Sequence, residues 1–477
     1  MNRQIPDHGI GEPLVADSHP ASASRPGRQT NGESAMLNTL ERRQPRASDT
    51  VTSMTRIITG HVVTPLGGDS RETLDLERGA VVVRDGQILA VGEARDMVSE
   101  HPSASVESYG DRLIVPGFVD CHAHYSQMNM IASPGLQLLE WLTNFTFPAE
   151  AEFADPEHCA SMADFFTNQL IAHGVTSACV YATVHPESVR ALFRSARAKK
   201  LRIMTGKVCM DRNAPEYLLD TPEQAYEQSR ELLEEWHGVD RLEYAITPRF
   251  APTSSTRQLE LLGQLAQEHP EAVIQTHLSE NPSECAWVKE LFPDESDYTA
   301  VYERFGLVRR RAVFGHATHV SEDELRRLGS ARASLAHCPT SNLFLGSGLF
   351  TLKKNGQTPG LRIGLGSDVG AGTSLSPLAS LNEAYKVSRS VGGPLDSFEA
   401  LRLATLDGAE ALGTDSSVGS LEPGKDADLV VLDPETNAVL RRRAAHAQTT
   451  SELLFAMMML GDDRTVHSVY VAGSKSR

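Results

Sequence analysis

The sequence predicts an α/β protein, a (β/α)8 TIM barrel carrying a small accessory β-sandwich domain formed by both chain ends. Two observations carry this. Between about Pro116 and Leu412, eight β runs alternate with amphipathic stretches such as Pro222–Trp236 and Ser255–Gln267, and that alternation implies parallel strands joined by crossover helices. Short β runs also stand near both termini, outside the alternating region. Eight repeats over roughly 300 residues is the span of a barrel with insertions. A doubly wound open sheet would fit the alternation alone.

Along the 477 residues, the first segment is the least patterned. Residues 1–53 hold five prolines, six charges of each sign and no Phe, Tyr or Trp. Such a segment cannot bury enough apolar surface to order itself, so a disordered extension is expected. A translation start at Met54, where patterned sequence begins, is the second reading. Residues 54–115 and 418–477 form the expected accessory domain. There Ala80–Val83 and Ile88–Val91 flank Asp85-Gly86, a hairpin turn signal. The barrel is expected over 116–417. Its runs are Leu113–Val119, Val175–Tyr181, Leu201–Val208, Arg241–Thr247, Ala272–Thr276, Ala312–Phe314, Ala333–Ala336 and Arg362–Leu365.

Composition excludes several function classes. With 45 Lys+Arg against 62 Asp+Glu, the net charge is −17, which disfavours nucleic acid and anionic membrane as partners. No run of 18 apolar residues occurs, so no transmembrane helix is expected. The six cysteines are scattered without a CxxC pair, and the N-terminus lacks the apolar stretch of a secretory signal. A cytoplasmic protein with reduced thiols is the expectation.

Candidate ligands stand at strand ends, where a barrel places its chemistry. The first run leads into His122-Ala123-His124, and residues two apart on a strand face the same way. The fifth ends at His277, the sixth at His316 and the eighth at Asp368. Imidazoles with a carboxylate suit Zn²⁺, Fe²⁺ or a similar borderline divalent metal. His319 lies past its strand end and reads as a supporting residue, with His337 at the end of the seventh run as a further candidate for support. Trp141 is either a pocket lid or a core residue. Competing motifs fail: His185-Pro186-Glu187 and His269-Pro270-Glu271 lack an accompanying PCxxC. In the P-loop-like stretch Gly419 to Lys425, Asp426 stands where Ser or Thr should be.

Pro116 to His124 resembles the first-strand motif of the amidohydrolase superfamily, and Gly424 to Leu429 is similar to its accessory β domain. The resemblance runs from about Met54 to the C-terminus. Within the superfamily it is closest to the guanine deaminases, through His124 to Gln127, Lys207 to Pro215, Thr247 to Thr253, Gln275 to Asn281, His337 to Asn342 and Gly366 to Gly372. Ser126 stands where that family often has Pro, and Gly315 to Val320 is looser than usual.

The resemblance implies a barrel of the metal-dependent hydrolase type and His122, His124, His277, His316 and Asp368 as metal ligands. The fourth run leads to Thr247-Pro248-Arg249-Phe250 without a bridging Lys, so one metal is expected, with Lys207 structural. The implied activity is hydrolytic deamination of guanine to xanthine and ammonia by a metal-activated hydroxide, in purine salvage or catabolism. Glu280 and Asp368 are the implied catalytic residues, with Gln127, Arg249 and Phe250 touching substrate. A homodimer fits the resemblance. The alternatives are a hydrolase of another amino-heterocycle (a pterin, a triazine or cytosine) and a non-catalytic scaffold paralogue.

Overall fold

The computed structural model describes residues 55–68, 72–134 and 137–477; the expected disordered extension lies outside them. Eight parallel strands build the barrel: Phe118–His124, Val175–Tyr181, Arg202–Gly206, Leu242–Pro248, Val273–Leu278, Ala312–His316, Ser334–His337 and Arg362–Leu365. Their neighbours follow chain order, as βαβ repetition requires. A short strand, Val208–Cys209, adds a bridge to the fourth. The seam between the eighth and first strands is fastened differently. Asp368 N donates to His122 O at 2.7 Å, and Ser367 N donates to the Asp120 carboxylate at 3.0 Å.

The crossover helices form where caps and spacing agree. Thr221 and Gln224 make a capping box at 3.1 and 3.0 Å, and Pro222 fills the first turn of Pro222–Trp236. Ala225, Ser229, Leu232, Leu233 and Trp236 then recur on one buried face. Trp236 stacks on Phe193 of the preceding crossover helix, Pro186–Ala198, with ring centroids 5.4 Å apart.

Cysteines fill the lower barrel interior as small apolar groups. Cys121, Cys179 and Cys338 pack there with Val119, Met204 and Val313, above Ala409 and Leu412 of the helix Leu406–Leu412. All six cysteines are free thiols.

The expected first run, Leu113–Val119, is two strands. Ser105–Pro116 belongs to the accessory sheet and Phe118–His124 to the barrel, because Pro116-Gly117 breaks the pairing between them. The accessory sheet is one continuous seven-stranded path drawn from both chain ends. It runs Ser474–Lys475, Val466–Val471, Leu429–Leu432, Ser105–Pro116, Arg56–Pro65, Thr73–Arg84 and Gln87–Glu93. Asp85 and Gly86 both take positive φ, 53° and 82°, as the hairpin signal requires. The sheet curls so that Ile88 N donates to Lys425 O at 2.8 Å, closing one apolar face on itself. Its other face packs Val115, Val430 and Val469 into the barrel's outer core.

Between its last strands lie two helices absent from the sequence reading, Ala438–Ala444 and Thr450–Leu460. The second packs on the barrel: Phe455 meets Tyr385 edge-on at 4.9 Å, and Asn382 donates to Met459 O at 3.0 Å. Thr450–Leu460 is apolar nearly all round and shows little helical periodicity. Among the described residues, no helix is long and apolar enough to cross a membrane.

Candidate metal and purine site

Regular alternation would have spoiled the site. Val119 and Cys121 face the barrel interior, which would turn His122 and His124 outward. A β-bulge intervenes: Asp120 pairs with Ala178, but the next partners are Ala123 and Val180. The extra residue reverses the phase, so Ala123 joins the outer core while both imidazoles turn to the rim. Asp120 holds this bulge, accepting from His122 N at 3.1 Å and Ser367 N at 3.0 Å. Burial raises its carboxyl to about 6. Gly315 makes room opposite, since a Cβ there would lie 2.4 Å from the His122 ring.

Four of the five expected ligands converge. His122, His124, His277 and Asp368 place their donor atoms within 4.8 Å of one another. The Nε2 of His124 lies 3.3 Å from those of His122 and His277, and Asp368 Oδ1 lies 3.3 Å from both His122 Nε2 and His124 Nε2. Two ligands held about 2.0–2.1 Å from one ion at tetrahedral angles stand roughly 3.3–3.4 Å apart, so the four 3.3 Å spacings suit neighbouring ligands on a zinc-sized ion. Arg249 O accepts from His277 Nδ1 at 2.8 Å, which leaves the Nε2 lone pair for a metal. Burial and the neighbouring imidazoles hold His277 well below its usual range, in the neutral form a ligand needs. Asp368 adopts the left-handed region at φ 47°, an unusual backbone for a non-glycine at a functional site.

His316, expected as a fifth ligand, stands outside this group. Its Nε2 faces Glu280 Oε2 at 3.5 Å and Asp368 Oδ2 at 3.8 Å, and its Nδ1 is held by Asn342 Oδ1 at 2.8 Å. His316 thus lies beside both Glu280 and Asp368, placed to hold an oxygen between them.

Glu280 is 3% exposed. Burial raises its carboxyl above the usual range, and the Asp368 charge adds to this. Ser347 Oγ donates to its Oε1 at 2.9 Å, while Ser347 O accepts from His319 Nε2 at 2.6 Å. His319 thus supports the site through Ser347. Glu284, also buried, accepts from Glu280 N at 2.8 Å and Asn281 N at 3.1 Å. His337 instead stacks on Phe350 at 4.6 Å. Ser347→Ala removes a bond that favours charged Glu280, so Glu280 should titrate higher. If its acid form drives turnover, the alkaline limb of the kcat–pH profile moves to higher pH, with kcat down about threefold to tenfold.

Above the ligands lies a cavity lined by Gln127, Trp141, Arg249, Phe250, Glu280 and His316 among others. Trp141 is buried and is both cavity wall and core residue. Glu150, which sequence reasoning missed, lies behind the polar pair: Arg249 Nη1 donates to its oxygens at 2.8 and 2.7 Å. Nothing in the sequence separates Glu150 from the acids that follow it, Glu152 and Asp155. Lys207 is wholly buried and paired with Asp220, a structural role as expected.

A closed parallel barrel with an accessory sheet from both ends, and imidazoles and a carboxylate at its strand ends, defines a metal-dependent hydrolase architecture. Residues 113–475 match the Amidohydrolase family, and the chain belongs to that family. Residues 79–104 match the bacterial imidazolonepropionase-like composite domain. The chain is 47% identical over 399 residues to the guanine deaminase of Escherichia coli (strain K12), covering 83% of this chain and 91% of the relative. The structure of E. coli guanine deaminase superposes with a TM-score of 0.86 at 43% identity, covering 89% of this chain and 99% of that one. Guanine deaminase from C. acetobutylicum, solved with guanine bound in its active site, gives a TM-score of 0.81 at 29% identity, covering 88% and 99%.

Proposed function

We infer that the protein hydrolyses guanine to xanthine and ammonia, with zinc as its metal, as a cytoplasmic homodimer. The observation that carries this is the union of a donor set of three imidazoles and a carboxylate with a cavity walled by Gln127, Arg249 and Phe250, in a chain 47% identical to a guanine deaminase. His122, His124, His277 and Asp368 would hold the metal, which would supply a water acidified to a pKa near 7. The rest falls to the chain. Phe250 and Trp141 form apolar walls, while Arg249 and Gln127 supply planar hydrogen-bonding groups. Carbon 2 of guanine becomes electrophilic once the ring nitrogen beside it is protonated, and Glu280 delivers that proton. Asp368 accepts the proton of the attacking water and passes it to the 2-amino group, Glu280 takes back a proton from the new C2 hydroxyl, and the C–N bond breaks to release ammonia.

A guanine-to-xanthine assay on metal-analysed protein tests this reading. A panel with a pterin, a triazine and cytosine, scored by ammonia release, separates it from the related hydrolases; faster turnover of any of these overturns it. Light scattering checks the dimer. Arg249→Ala should raise the KM for guanine roughly 10- to 150-fold, the loss of a charge-assisted contact worth about 1.5–3 kcal/mol. An unchanged KM would remove Arg249 from the substrate contacts.

A further inference from the structure

We propose that Glu150 is the specificity-determining positioning residue of this site, fixing the hydrogen-bonding pattern that Gln127 and Arg249 present to the bound ring. The inference rests on the guanine reading above. Glu150 sits in the short helix Phe147–Ala151 with 0% exposure. It reaches both polar groups of the cavity wall: Arg249 Nη1 at 2.8 and 2.7 Å, and Gln127 Nε2 at 3.4 Å.

An ionised carboxylate can only accept. Gln127 therefore turns its NH2 toward Glu150 and its Oε1 away. Gly370 backs that orientation, since a Cβ there would lie 2.2 Å from Gln127 Oε1. Arg249 Nη1 faces both oxygens of Glu150, which leaves Nη2 and Nε to donate elsewhere. The guanidinium also lies over the Phe147 ring at 5.7 Å, which limits its swing. The wall thus offers one acceptor beside a fork of donors. A fork of donors complements adjacent acceptors such as O6 and N7 of guanine, and the lone acceptor complements a ring N–H. A purine without the 6-oxo group leaves donors unmatched, the kind of mismatch that polar sites reject most strongly.

Glu150→Gln keeps the shape, removes the obligatory acceptor and leaves the buried guanidinium unpaired. Gln127 can then flip and Arg249 can turn. The test compares the KM of guanine with the inhibition constant of 2-aminopurine, which keeps the 2-amino group and lacks the 6-oxo group. Glu150→Gln should raise the guanine KM at least about tenfold and shift the 2-aminopurine constant less than about threefold, with metal content unchanged. Equal loss of both, or loss of neither, overturns the proposal. If Glu150→Gln fails to fold in a thermal melt, Glu150→Asp replaces it; it keeps the charge and shortens the reach, and an unchanged ratio there also overturns the proposal. Wild-type protein that releases no ammonia from guanine refutes the guanine reading itself, a different result from an unaltered ratio in an active enzyme.

Discussion

Glu280→Gln keeps its metal and loses about a thousandfold in kcat, the scale of a positioned general acid–base group. The amide preserves the shape of the side chain and can still meet Ser347, which donates to Oε1 at 2.9 Å in the native protein. It cannot carry a proton. Glu280 is three residues beyond His277, at a turn where Ser279 takes φ 47°, so its carboxyl reaches over the ligand cluster instead of into it. Burial raises its pKa, which keeps a larger share of the acid form near neutrality. Metal analysis and steady-state kinetics on the same sample check this. A variant within tenfold of wild type would take the proton shuttle away from Glu280.

His277→Ala empties the site and abolishes turnover, whereas His316→Ala keeps the metal and slows the reaction. The contrast follows from geometry. His277 Nε2 is 3.3 Å from His124 Nε2 and belongs to the four-donor group, while His316 Nε2 faces Glu280 at 3.5 Å. Removing one of the four donors opens the site to exchange, and a chelator should strip His277→Ala to well below about one ion per chain. Removing a group beside the metal leaves the donors in place. Mass-spectrometric metal content after dialysis separates the two. Loss of metal from His316→Ala would restore it as a fifth ligand.

Much of this architecture was legible in the residues, for physical reasons. Strand–helix alternation reports parallel pairing, and Pro222–Trp236 appears where its cap and its spacing placed it. Histidines at strand ends had to meet once the barrel closed. His316 stands apart from the four-donor group because strand-end position states which rim a side chain reaches, but not its distance from its neighbours. The correct orientation of His122 and His124 came from simple period-two reasoning, although the strand reaches it through a bulge that the sequence does not announce. Glu150 and Asp120 were invisible as partners because each acts on groups far along the chain: Arg249 is 99 residues from Glu150, and Ser367 is 247 from Asp120. The helix Thr450–Leu460 escaped because it is covered on too many sides to show a face.

The seam has a consequence for the newborn chain. Asp120 and Ser367, 247 residues apart, clasp the first strand to the last, beside the point where Asp368 meets His122. Bringing such distant segments together costs loop entropy that only the finished fold returns, so this contact belongs late in folding. Three of the four donors can gather once five strands have emerged, but the carboxylate arrives with the eighth. A partly made barrel thus offers only an incomplete cage, and a full-affinity grip on metal doubles as a mark of completed synthesis.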